Sequence, residues 1–178
     1  MRLVFLTFLF PIFLVSGQVP PPKQRLLDSL HNVLGKARQD TQRVNALNKM
    51  GMEMKSFAPD SALACIVKAR DLARKLRYPN GEVAALNQMG IIYKNKADHK
   101  KAEACLLDGI RVADSAGLEE LSAKMSVNLG NIYQRLGDYQ KALDLFFNSL
   151  RFFEKQGKGK IYGGILSNIG VVYSLMEE

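Results

Sequence analysis

Few side chains in this chain of 178 residues are of a type that could do chemistry. They are His31, His99, Cys65, Cys105 and the acidic pair Glu119-Glu120. Two histidines and two cysteines are too few for a structural zinc site without help from carboxylates. No glycine-rich phosphate loop, nucleophile elbow or zinc-protease helix signature occurs. Glu119 and Glu120 stand where a helix begins, and negative charge there favours the helix dipole, so they are expected to serve the helix rather than catalysis. His99 is expected to be structural. No catalytic, cofactor-binding or metal-ligating residue is expected, and the chain is not read as an enzyme. What remains is a set of amides and cations that recur along the chain, of which Gln88, Asn128 and Asn168 are spaced by 40. Amides both donate and accept, so such a set can hold a peptide backbone irrespective of its sequence.

The elements that carry these residues announce themselves by repetition. Glycines stand at Gly51, Gly90, Gly130 and Gly170, and three residues after each comes Met54, Tyr93, Tyr133 or Tyr173. Met50, Met89, Leu129 and Ile169 precede them directly. Downstream, Ala62, Ala102 and Ala142 are followed at +4 by Ile66, Leu106 and Phe146, and at +7 by the small Ala69, Gly109 and Ser149. Each unit reads as two helices, because apolar and small residues recur at offsets of 3 and 4. Pro59 and Gly137 interrupt the helices at the turns, with Asp60 and Asp138 as expected caps. Cys65 and Cys105 fall at equivalent sites one unit apart. Helices pack about 8–10 Å apart and a disulfide needs Cα atoms within about 7 Å, so two separate thiols are expected.

Composition agrees. Hydrophobic residues make up 47% and charged residues 24%, which excludes wholesale disorder, and without Trp the core must rest on Leu, Ile, Val, Ala and Met. The net charge is +8, but the basic residues are scattered singly along helical patterns, so solvated faces explain them better than nucleic acid. At the start, Met1-Arg2, the apolar run Leu3 to Val15 and Val15-Ser16-Gly17 have the order of a secretory signal peptide over residues 1–17. The run is shorter than the roughly 20 apolar residues a bilayer requires. Export is therefore expected, with a periplasmic or other extracytoplasmic location and no membrane insertion of the mature region. A Pro-rich linker at 18–22 and an amphipathic capping helix at 23–38 are expected next, the latter carrying Leu26, Leu27, Leu30, Val33 and Leu34.

Ser126-Val127-Asn128-Leu129-Gly130-Asn131-Ile132-Tyr133, with Gly137-Asp138-Tyr139 and Lys141-Ala142, resembles the tetratricopeptide repeat. The unit before it is similar, with Ala97 at the turn glycine and His99 at its Tyr, and the first unit is degenerate. The period of 40 exceeds the 34 of that family and equals that of HEAT and armadillo units, which keeps another α-solenoid as the alternative. The Gly-to-Ala interval of 12 in the second and third units favours the tetratricopeptide pattern. The resemblance implies an all-α fold, an α-solenoid over 41–178 with units at about 41–78, 81–118 and 121–158 and a half unit at 161–178. A half unit would expose Leu166, Ile169 and Val172, so a longer protein is expected.

The resemblance further implies a concave groove lined by the first helices. Carried over residue by residue, it holds Asn48, Met52 and Lys55, then Asn87, Gln88, Ile91, Lys94 and Asn95. Lys124, Asn128, Asn131 and Arg135 follow, then Ser167, Asn168 and Val171. The implied partner is a protein or peptide, acidic if Lys55, Lys94, Lys124 and Arg135 face it. Signal peptide, degenerate first unit and long repeats together resemble the extracytoplasmic N-terminal region of Bacteroidetes-type signalling proteins, sensor histidine kinases or helix-turn-helix regulators. A freestanding secreted scaffold is the alternative.

Overall fold

The computed structural model describes residues 21–36, 40–157 and 159–177, and the expected signal peptide lies outside them. The described residues form eight α-helices and no strand. Helix α1 (Pro21–Lys36) precedes three antiparallel pairs: α2 (Thr41–Met54) with α3 (Pro59–Lys75), α4 (Pro79–Asn95) with α5 (His99–Ser115), and α6 (Glu119–Leu136) with α7 (Tyr139–Lys155). Helix α8 (Lys160–Glu177) packs on α7 and α6, in the place that a first helix takes after each earlier pair.

The helix starts explain where the expected boundaries moved. α1 begins at Pro21, so Pro21 and Pro22 form its first turn instead of belonging to a linker. Proline fits there because the first turn has no intrahelical acceptor for its N–H. α4 likewise begins at Pro79, and α6 at Glu119 with Glu120 beside it, each two residues ahead of the expected unit start. Asp40, Asp98 and Asp138 cap α2, α5 and α7 by accepting from the amides of Arg43, Lys101 and Lys141 at 3.1, 3.2 and 3.4 Å. Asp60 does not cap α3. It lies inside the first turn, after Ala58 and Pro59, and pairs instead with Lys96 of the next unit. Turn residues in the left-handed region end the helices: Gly117, Gly137 and Gly157, but also Arg77 at φ 51° and Ala97 at φ 60°.

The core runs as one layer between the helices of each pair and the next. Ala62, Ala102 and Ala142 are fully buried, as are Ile66 and Phe146, with Leu106 nearly so. Each large residue lies against the glycine of its own first helix: Ile66 on Gly51, Leu106 on Gly90, Phe146 on Gly130. Only Leu166 of the three residues expected to be exposed on α8 is so; Ile169 and Val172 are buried in a cluster with Phe146 and Phe153 of α7. At the other end α1 packs on α2, burying Leu30, and the Arg43 guanidinium donates to the Leu34 carbonyl at 2.7 Å.

Each helix packs on its sequence neighbours. In addition the backbones of α2 and α4, of α4 and α6 and of α6 and α8 approach closely, whereas among the described residues those of α3 and α5, or α5 and α7, do not. First helices crowd together while second helices fan apart, so the array curves with α2, α4, α6 and α8 on its inner side.

Candidate functional site: the inner face of the array

Every residue expected on the groove lies on α2, α4, α6 or α8 or, for Lys55, at the C-terminal cap of α2. Their states differ from a free ladder. Asn48 is buried and donates to the Gly81 carbonyl at 2.9 Å, which binds the start of α4 to the middle of α2. Asn128 donates to Asn87 Oδ1 at 2.7 Å and Asn168 to Asn131 Oδ1 at 3.0 Å. The amides thus bridge adjacent first helices in the pairs 87–128 and 131–168, and the expected free row of Gln88, Asn128 and Asn168 does not form. The cause is the stagger between neighbouring first helices, which sets Asn128 beside residue 87 instead of 88. Gln88 is half-buried, and its Oε1 is buried with no hydrogen-bond partner among the described residues. Asn48 Oδ1 is likewise buried without a partner among the described residues.

The cations divide the same way. Lys124 pairs with Glu120 one turn earlier on α6 and is thereby neutralised. Lys55, Lys94 and Arg135 carry no ion pair to any described residue. They sit at the C-terminal ends of α2, α4 and α6, where the negative end of the helix dipole favours positive charge. Lys94 is half-buried, and burial holds its ammonium below the usual lysine range, with Arg135 and Lys55 pushing it further down. Three like charges from three adjacent helices therefore act on one another across this end of the inner face. Asn95 and Arg135 are exposed, Asn131 half-buried, Ile91 half-buried, and Met52, Ser167 and Val171 exposed.

Sequence reasoning missed a contact between units. The Tyr133 hydroxyl donates to Glu103 at 2.6 Å, and that bond, with burial, pushes the phenol up to about 12. Lys141 lies over the Tyr133 ring and Lys101 over the Tyr93 ring, at 5.2 and 5.5 Å from the centroids. No periodicity could have shown the Glu103 bond, because Leu63 and Leu143 hold the equivalent positions. His99 is half-buried with Nδ1 unpartnered among the described residues, and Cys65 and Cys105 are free, half-buried thiols raised by burial. Among the described residues, no cluster of three or more His, Cys, Asp or Glu is placed to hold a metal ion, and no helix is long and apolar enough to cross a membrane.

Antiparallel pairs stacked with their first helices inward define a helical-repeat α-solenoid. Residues 83–115 and 126–157 each match a tetratricopeptide repeat family. Such a repeat fold is typically an interaction scaffold without catalysis of its own. Among solved structures it is similar to BtubC (BKLC) from P. vanneervenii, with a TM-score of 0.72 and 19% identity over 87% of this chain. It is similar too to the apo form of RapI, with a TM-score of 0.76 and 16% identity over the same share. At these identities the likeness is one of fold. The chain spans 64% and 45% of the lengths of those two proteins. No curated protein matches it.

Proposed function

We propose that this array is a protein-interaction module whose inner face binds an acidic, extended segment of a protein partner. The observation that carries this reading is the row Lys55, Lys94 and Arg135 at one end of three adjacent first helices, free of carboxylate partners among the described residues and with Lys94 half-buried. A folded chain gains nothing by desolvating a lysine beside two other cations, whereas the opposite charge of an incoming carboxylate would offset both costs. The charged end of the groove thus supplies selectivity.

The order of charged, apolar and small residues over 1–17 supports export, and on this reading the module works outside the cytoplasmic membrane. There it would act as the sensory or interaction part of a signalling protein. N-terminal sequencing of the expressed protein tests the location: a start near Gln18 supports export, and retention of residues 1–17 on a cytoplasmic product overturns it.

The groove is tested by capturing partners from the exported fraction and titrating the bound one with Lys55→Glu, Lys94→Glu and Arg135→Glu combined. Association should slow and lose most of its salt dependence while helicity stays unchanged. Lys94→Met alone should weaken binding yet leave the fold as stable or more so, because the folded state disfavours its charged form. Partner binding that ignores all of these changes would remove the inner face from consideration.

A further inference from the structure

Where the second helix of one unit gives way to the first helix of the next, three positions recur at intervals of 40. They hold Arg74, Asp114 and Glu154, then Glu82, Ser122 and Tyr162, then Leu86, Ser126 and Leu166. At the first join Arg74 reaches from the end of α3 to pair with Glu82 in the first turn of α4. That bond, with the charges of Asp108 on α5 and of Asp71, favours the charged guanidinium. At the second join all three side chains are shorter, and a surface cavity of about 240 Å³ opens between α5, α6 and α7. Asp114, Glu119, Ser122, Ser126, Asn148 and Phe152 line it. Asp114 and Glu119 are exposed and form no ion pair with any described residue. Asp114 stands in the last turn of α5, where negative charge opposes the helix dipole and no basic residue offsets it. The last turns of α3 and α7 do carry cations, Arg74 with Lys75 and Lys155. Ser149 also lines the cavity and is 2% exposed. Its one hydroxyl proton serves the carbonyls of Ala123 and Leu145, so the lone pairs of its oxygen remain to accept.

We propose that this cavity binds a guanidinium group on a short aliphatic stem, presented by an arginine of a partner polypeptide or by a free alkylguanidine. The chain supplies that group itself at the first join, through Arg74. At the second join it supplies room and carboxylates instead. An entering guanidinium would find charged acceptors at Asp114 and Glu119, hydroxyl acceptors at Ser122, Ser126 and Ser149, and an aromatic ring at Phe152 on which a planar cation can stack. Arg151 does not take this place, because its guanidinium donates to Asn148 Oδ1 at 2.8 Å. Among the described residues no third His, Cys, Asp or Glu joins the two carboxylates to make a metal site. The cavity lies at the start of α6 and Arg135 near its end, about 24 Å away by the helical rise, so the site does not depend on the inner-face reading.

The test titrates the full chain with butylguanidinium, with its uncharged counterpart butylurea and with the blocked tripeptide acetyl-Ala-Arg-Ala-amide, read by backbone amide NMR shifts. Butylguanidinium should give saturable shifts at the residues lining the cavity, and butylurea should bind at least ~10-fold more weakly. A tripeptide that binds more tightly than butylguanidinium assigns the site to a polypeptide arginine, and one that does not assigns it to a free small molecule. Asp114→Arg with Ser122→Glu builds at the second join the pair that the first join already holds, so the fold should tolerate it and binding should be lost. Asp114→Asn with Glu119→Gln keeps the shape and should weaken binding at least ~10-fold, which keeps the test decisive should the first variant misfold. Three results would overturn the proposal: no saturable shifts at the cavity, butylurea binding as tightly as butylguanidinium, or binding unchanged in either folded variant.

Discussion

Gly130 and Gly170 occupy the same place in successive units and differ only in what stands over them, which allows one substitution to be read twice. In a helix interior, Gly→Ala gains about 0.5–1 kcal/mol from reduced backbone entropy in the unfolded chain. At Gly170 nothing lies within 4 Å of the new Cβ, so that gain should appear whole. At Gly130 the methyl would stand 2.6, 2.9 and 3.0 Å from Cε1, Cδ1 and Cζ of Phe146. Carbon atoms prefer roughly 3.5–4.0 Å, so the ring must retreat by about 1 Å. Phe146 has no exposed surface and is packed in the α7–α8 cluster, and forcing such a ring costs about 1–3 kcal/mol. The propensity gain offsets part of that, leaving a net loss of up to about 2 kcal/mol, and the twin variants should differ by about 1–3 kcal/mol. Urea unfolding followed by circular dichroism measures both: Gly170→Ala should raise the midpoint and Gly130→Ala lower it. Equal shifts in one direction would refute the close-approach account of this column.

Ala97→Gly should stabilise the chain by roughly 0.5–1 kcal/mol, because Ala97 sits at φ 60°, where a side chain costs more than glycine's extra freedom; a lower urea midpoint would contradict this. Asn128→Ala should cost about 0.5–1.5 kcal/mol by taking the donor from Asn87 Oδ1, while Asn95→Ala, exposed at the end of α4, should stay within about 0.5 kcal/mol, as thermal melts of the two would show. Tyr133 titrates at about 12 in the fold against 10.0 for an ordinary phenol, so the folded state favours the protonated hydroxyl. Its contribution is whole below pH 10 and lost as the pH rises to about 12, and Tyr133→Phe should flatten that alkaline decline in stability.

The helix pairs were legible because the chain states them repeatedly: the glycine and alanine columns are each read against a copy of themselves, and the stop at Gly137 with the cap at Asp138 marks the turn between two helices. Boundaries were less legible where one residue type has two uses. Pro21 and Pro22 read as linker but form a first turn, and Asp60 reads as a cap until Pro59 is seen to start the helix ahead of it. The groove residues fell on the inner helices as the resemblance implied, but their pairing did not follow the period. Asn128 meets Asn87 and Asn168 meets Asn131, separations of 41 and 37, which depend on how far one first helix slides along the next. That slide is a property of packed surfaces and leaves no trace in spacing.

This pairing changes what the inner face can recognise. Asn48, Asn87, Asn128, Asn131 and Asn168 hold first helices to one another through one side-chain hydrogen bond each, which ties them to the geometry of the array. Lys124 is consumed by Glu120. The cations at Lys55, Lys94 and Arg135 have no ion pair to any described residue, and they stand at the ends of helices whose mutual angle the amide bridges help to set. Since the distances among the cations follow from that angle, breaking the Asn87–Asn128 bridge should spread Lys94 from Arg135 and weaken their mutual repulsion. The Lys94 ammonium should then rise toward the ordinary lysine range in Asn128→Ala, a shift that NMR titration of the lysine side chain would register. An unmoved Lys94 would mean that the amides bind the helices together without setting the geometry of the charged row.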